Sequence, residues 1–203
     1  MNTSKQCLAF LVVLFTWCSS AHAVSTFGAM ASGSDLVPAA SASDGGAGSA
    51  AALVTGPTFN AEAGLGGPTF TPLLKADSVS TGAVNDDDFT SAVAQAYQAY
   101  TSTADQTITL NISLHGIVTN LGTPLSNSFV LADVFVYGGS GFSVADTFCS
   151  PGRFTFDSVY LCGSRLGRSN LFINNGDVTL LDTLTFSVLQ GEQFGIYGIL
   201  RAS

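Results

Sequence analysis

Hydrophobic and polar positions alternate through the second half of the chain. In Thr107-Ile108-Thr109-Leu110-Asn111-Ile112-Ser113-Leu114-His115 every second residue is apolar. A period of two over a full strand puts one face on a core and the other in water. Ser128 to Tyr137 is dense in Phe, Val and Leu and runs into Gly138-Gly139-Ser140-Gly141, which reads as a turn. Arg153 to Cys162 alternates again, with Phe154, Phe156, Ser158 and Tyr160 opposite Thr155, Asp157, Val159 and Leu161. Asn174-Asn175-Gly176-Asp177 is a turn signal. Beyond it, Asp182–Gln190 and Gln193–Arg201 read as strands joined by a hairpin-like Gln190-Gly191-Glu192-Gln193. Short strands separated by turns, with no βαβ rhythm, predict an all-β fold, an antiparallel β-sandwich or jelly-roll-like domain.

Residues 88–101 carry two patterns. Asp88 could cap a helix with Phe89, Val93, Tyr97 and Tyr100 on its inner face. The same residues alternate small and large as a strand does, and a strand here would pair with Thr107–His115 as a hairpin. The strand is the expectation.

Upstream, residues 24–84 are rich in Ala, Gly, Ser, Thr and Pro. They read as a flexible, low-complexity arm that buries too little side chain to offset its ordering entropy, with disorder and partial strand formation both open. Gly56-Pro57-Thr58-Phe59 recurs as Gly67-Pro68-Thr69-Phe70, and Phe59, Phe70, Leu73 and Leu74 are the arm's candidates for docking. Residues 1–23 read as a secretory signal peptide. Lys5 supplies the charge, Cys7–Trp17 the apolar core, and Ala21-His22-Ala23 the small-x-small pattern, so cleavage falls between Ala23 and Val24. The apolar run is shorter than the roughly 20 residues of a membrane span, and no transmembrane segment is expected in the mature chain. The expected organisation is therefore 1–23 signal, 24–84 arm and 85–203 sandwich, with the protein secreted or at the cell surface.

The chain has 203 residues, of which 46% are hydrophobic and only 10% charged. Removing the signal leaves five basic residues against fourteen acids, a net charge of −9. No basic footprint for nucleic acid or an anionic membrane is present. Two cysteines remain, Cys149 and Cys162, and an exported chain most simply joins them in one disulfide worth ~3 kcal/mol.

The run Ala96-Tyr97-Gln98-Ala99-Tyr100, the strand Thr107–Leu114 and His115-Gly116 resemble the extracellular region of PEP-CTERM-sorted bacterial surface proteins. So does Leu184–Phe194, a strand running into a Gly-Glu turn. The resemblance covers roughly the last half of the chain. It implies an exported, β-rich protein associated with extracellular polymer and biofilm, and it supplies no catalytic residues. The Val-Pro-Glu-Pro tag, membrane helix and basic tail of that family do not occur before Ser203. Either the chain is a tagless relative, or it stops before the tag.

Candidate chemistry is sparse. Asp86, Asp87 and Asp88 are a weak candidate for Ca²⁺, which takes six to eight oxygen ligands, with a solvated loop or helix cap as the simpler account. No other metal or cofactor is expected. Arg153, Arg165 and Arg168 form the only basic cluster and are the candidate site for an anionic sugar or a partner's carboxylate; the bland alternative pairs them with neighbouring acids. His115 is the lone mature histidine and reads as an exposed residue at a strand end. Among the acids, Asp133, Asp146, Asp157 and Glu192 show no spacing that sets two carboxylates across a sugar bond. Tyr137 and Phe142 flank the Gly-rich run and could stack on a sugar, although core packing is the simpler role. Asn111-Ile112-Ser113 matches a glycosylation sequon within a strand. The expected function is an exported, non-enzymatic surface or matrix protein with structural or adhesive action, meeting extracellular polysaccharide or surface proteins. The alternative is a lectin-like polysaccharide-binding module, with or without Ca²⁺; a glycosidase ranks third.

Overall fold

The computed structural model describes residues 7–16, 21–35, 37–45, 49–66, 70–79, 90–119, 128–145, 155–156 and 159–203. Its strands are β1 (Cys7–Thr16), β2 (Ala21–Asp35), β3 (Val37–Gly45), β4 (Ser49–Thr55), β5 (Phe59–Gly66), β6 (Leu73–Ser78), β7 (Ser91–Ser102), β8 (Gln106–Val118), β9 (Val130–Ala145), β10 (Thr155–Phe156), β11 (Val159–Ile173), β12 (Gly176–Val188) and β13 (Gln193–Ala202). They form two antiparallel sheets packed face to face as a β-sandwich. Sheet A has the order β12-β8-β1-β6-β5-β4, and sheet B the order β10-β11-β9-β13-β7-β2-β3. Residues 91–102 are strand, as the alternation predicts, while 88 and 89 lie outside the described residues; no helix occurs among the described residues.

Strict alternation builds the core between the sheets. Sheet A contributes Ile108, Leu110, Ile112 and Leu114 from β8, Leu74 and Ala76 from β6, and Phe59, Ala61, Ala63 and Leu65 from β5. Sheet B answers with Val130, Ala132, Val134 and Val136 from β9, Phe194, Ile196 and Leu200 from β13, and Ala92, Ala94 and Ala96 from β7. The layers interlock where Phe186 of β12 meets Phe194 edge-on at 5.6 Å, while Tyr100 stacks on Phe194 at 5.2 Å.

Several connections differ from the sequence expectation in one consistent way. β7 and β8 do not form a hairpin, and neither do β12 and β13: each pair is split between the two sheets. The turn after β12 is a corner. Gly191 adopts φ +79°, Gly191 donates to Ser102 O at 2.8 Å, and Ser102 donates to Glu192 O at 2.8 Å. Switching sheets lets each strand turn its apolar face to the same core. β13 lies between β9 and β7 and is therefore an interior strand.

Residues 24–84 are also more organised than their composition predicts, for their described residues form β2–β6. Each sheet takes strands from both sides of residue 85, so that boundary divides neither. Small side chains do this work by allowing close approach. β2 packs over β4 and β5, and β7 over β5 and β6. Phe59 fills the narrow space: a Cβ on Gly33 would lie 2.0 Å from its ring, and one on Gly56 2.4 Å. Phe70 and Leu74 are fully buried, whereas Leu73 points outward at 41% exposure. Cys7–Thr16, from the expected signal's apolar core Cys7–Trp17, forms β1 between β8 and β6. Ala23 and Val24, the expected cleavage pair, fall within β2 just where its register with β7 shifts.

The close fit around Phe59 makes a prediction. Gly33→Ala should lose about 1–3 kcal/mol, as overpacked cores do. Gly64→Ala, whose new Cβ would meet nothing nearer than Leu73 at 4.0 Å, should stay within about 0.5 kcal/mol of wild type. Denaturant midpoints of the two variants check this, and equal midpoints would contradict the close-approach account.

Candidate functional site

The side of sheet B turned away from the core carries a second, smaller cluster: Tyr97, Tyr137, Tyr197 and Ile199, with Val93, Phe135 and Phe142 packed against it. Register explains the grouping. Phe135 lies opposite Tyr197, and Tyr197 opposite Tyr97. The odd positions of β9, β13 and β7 therefore form a row of rings across three strands, with Phe135 and Tyr137 stacked at 6.3 Å. Apolar residues on both faces of Ser128–Tyr137 are the signal for a strand covered on both sides.

Strand β11 borders this row, and its register is what brings the arginines together. Residues 165 and 168 are an odd number apart, so an unbroken strand would send them to opposite faces. The register instead runs Arg165↔Tyr137, Gly167↔Val136 and Arg168↔Phe135, leaving Leu166 as an extra residue. Leu166 and Gly167 both turn inward. A Cβ on Gly138 would lie 2.7 Å from Leu166, and one on Gly167 2.7 Å from Leu184. Arg165 and Arg168 thus emerge on one face, both exposed. A bulge of this kind re-aims side chains. A larger irregularity precedes it: residues 139–142 have no partner on β11, Gly139 and Gly141 have φ of +87° and +100°, and β9 continues to Ala145. The Gly-rich run is accordingly a bulge within a strand, where the sequence reads as a turn. It carries Phe142 back to the aromatic cluster beside Tyr137.

Asp133 anchors the polar side of the site. Its Oδ1 accepts hydrogen bonds from Arg168 Nε at 3.1 Å, Arg168 Nη2 at 2.8 Å and Asn170 Nδ2 at 2.7 Å. The Arg168 guanidinium also lies 5.1 Å from the centre of the Phe135 ring. On the far side of the row, the Tyr197 hydroxyl donates to Gln95 Oε1. Arg165 sits opposite Tyr137, and among the described residues no carboxylate comes within ion-pair distance of it.

Other candidate residues lie elsewhere. His115 is inside β8, three residues short of its end. Its Nδ1 is 3.1 Å from Thr179 Oγ1 and 3.7 Å from Asp177 Oδ1, on the outward side of sheet A. Glu192 closes its own corner by accepting the Leu189 amide at 2.8 Å. Asn111 is exposed on β8, 3.4 Å from the Thr183 hydroxyl. Cys162 is buried on β11. Cys149, Arg153, Asp86, Asp87, Asp88, Asp146 and Asp157 lie outside the described residues. Among the described residues, no group of three or more His, Cys, Asp or Glu is placed to hold a metal ion, and no helix is long and apolar enough to cross a membrane.

Burial shifts the phenols of this face and of the core. Desolvation raises Tyr97, Tyr100, Tyr137 and Tyr197 above the ordinary value near 10. At Tyr137 the nearby charges of Arg165 and Arg168 oppose that rise. At Tyr197 Arg201 opposes it, and Asp133 adds to it. A group whose pKa is raised by folding lends stability that is complete below its unfolded value and is lost as pH climbs toward the folded one. Stability should therefore fall as pH rises above about 10, with phenolate absorbance in the native protein lagging that of the unfolded chain. All five tyrosines ionising together near the ordinary value in folded protein would contradict this. Asp133→Ala, which strips Arg168 and Asn170 of their acceptor, should cost about 1–2 kcal/mol in denaturant titration, moderated by the exposure of Arg168. Compared with known proteins, the chain matches no family model and no curated protein.

Proposed function

We propose that this protein is an exported, non-enzymatic component of the cell surface or extracellular matrix, with a structural and adhesive role. The observation that carries its contact with polymer is the bulge at Leu166. It sets Arg165 and Arg168 side by side at the margin of an aromatic row. Two guanidinium groups side by side suit a sugar carrying a carboxylate, the charge bonding the anion, while the tyrosines beside them are buried and hold the strands in place. That same observation favours the second reading, a lectin-like polysaccharide-binding module. The two differ in whether the folded domain alone retains the glycan.

Asp133 supports the non-enzymatic reading. Its one well-placed oxygen accepts from Arg168 and Asn170, so it acts as an anchor for a binding surface. Export rests on the Lys5, Cys7–Trp17 and Ala21–Ala23 pattern, and the resemblance to PEP-CTERM-sorted proteins points the same way. In the exported form residues 1–23 are gone, and the strand between β8 and β6 with them. Oxidising surroundings then join Cys149 to Cys162. Any Ca²⁺ requirement would arise at Asp86, Asp87 and Asp88.

Retention on polygalacturonate against neutral dextran tests the contact. The secreted protein should bind the polyuronate, and Arg165→Ala should weaken binding about tenfold, the loss of one charge-assisted hydrogen-bonded contact. Loss of retention in EDTA would assign the Asp cluster a role. Unchanged retention of Arg165→Ala would remove the assigned face, and polymer cleavage abolished by Asp133→Asn would overturn the non-enzymatic reading. The secreted chain should begin at Val24 and gain mass on reduction; a chain keeping Met1 would remove export and leave β1 in place.

A further inference from the structure

Strand β12 is one of the two edges of sheet A, β4 being the other. Among the described residues it pairs with β8 alone, in unbroken register from Gly176↔Val118 to Val188↔Gln106. A long, regular edge with no proline, no lysine and no bulge is a template on which another strand can add. Beyond the Asp177–His115 pair at its start, its outward side chains are tied to β8 as an uncharged ladder: Thr107 with Ser187 at 3.2 Å, Thr109 with Thr185 at 3.4 Å, and Thr183 with Asn111 at 3.4 Å. Leu181, at 77% exposure, stands among them. The inward side chains are Val178, Leu180, Leu184, Phe186 and Val188, all packed against the core.

Asp182 interrupts that inward row at the middle of the strand. One oxygen accepts from Ser169 Oγ of β11 at 2.5 Å, and the other accepts from the backbone amide of Thr183 at 2.8 Å. An amide engaged by its neighbour's carboxylate is not offered to a strand alongside. Two copies pairing antiparallel about the centre of β12 would moreover bring Asp182 against Asp182.

We infer that the free edge of β12 is a pairing surface for a second copy of this chain, and that Asp182 holds it shut. The carboxylate occupies the central edge amide and places an inward-pointing charge where two edges would meet. Without it, Val178–Val188 presents an unbroken apolar inner face, an uncharged outer ladder and a full set of edge amides, which is what strand addition requires. The pairing is isologous, because the same edge serves both copies. This inference depends on neither export nor glycan binding.

Light scattering on the full chain, with circular dichroism as the check on folding, decides the matter. Asp182→Val and Asp182→Thr should both associate at concentrations where wild type does not, the average mass roughly doubling as two edges join. Asp182→Thr keeps a hydroxyl for Ser169 and is the gentler of the two. Thr183→Pro in either background should return the mass to the wild-type value, since proline offers no amide to a partner. Folded Asp182 variants with wild-type mass would overturn the inference, as would association that survives Thr183→Pro. Thr183→Pro in wild type should fold, because the amide it deletes faces Asp182 and not β8. Unfolding of that single variant would place the amide in the β8 ladder and overturn the inference independently of the Asp182 variants.

Discussion

Everything in this structure depends on two sheets sharing one core, which takes one residue in two from each strand. Parity along the strand is the governing constraint. Where it holds, as on β8 from Ile108 to Leu114, the strand is scaffold. Where it breaks, the chain has done something that a regular sheet cannot do. The breaks at Leu166 and at residues 139–142 bring Arg165, Arg168 and Phe142 to the outward face of sheet B.

The N-terminal half meets the same constraint with small residues. Ala and Gly give thin strands whose sheets can approach closely, and one large ring, Phe59, then fills what space remains against Gly33 and Gly56. Burial per residue is low, so the fit has to be close. A composition that resembles a linker is here the composition of a narrow interlayer.

Charge is placed by the same economy. The described ion pairs lie away from the core between the sheets: Lys75 with Glu62, His115 with Asp177, and Arg168 with Asp133. Among the described residues three carboxylates bond backbone amides, and Asp105 accepts that of Gln190 at 2.7 Å. Glu192 closes a corner, and Asp182 occupies an edge amide. In a chain with few charged side chains, those that approach the backbone are employed in shaping it.

The sequence by itself determined the all-β class, the strand nature of residues 91–102, the inward set of β8 and the turn at Asn174–Gly176, because all of these rest on local period and local turn chemistry. Only the tertiary structure decided which sheet each strand joins. β7 with β8 and β12 with β13 read as hairpins, since adjacency along the chain carries no information about which of two layers a strand enters. It also decided the site. Arg165 and Arg168 were legible as a cluster, but their common face was not, because a bulge shifts parity without changing composition. The aromatic row of Phe135, Tyr197 and Tyr97 is assembled from strands far apart in sequence, and its members meet only through register. The strands of residues 24–84 were illegible for the converse reason: Ala and Gly have weak intrinsic β preference, and their order comes from the layer that packs against them.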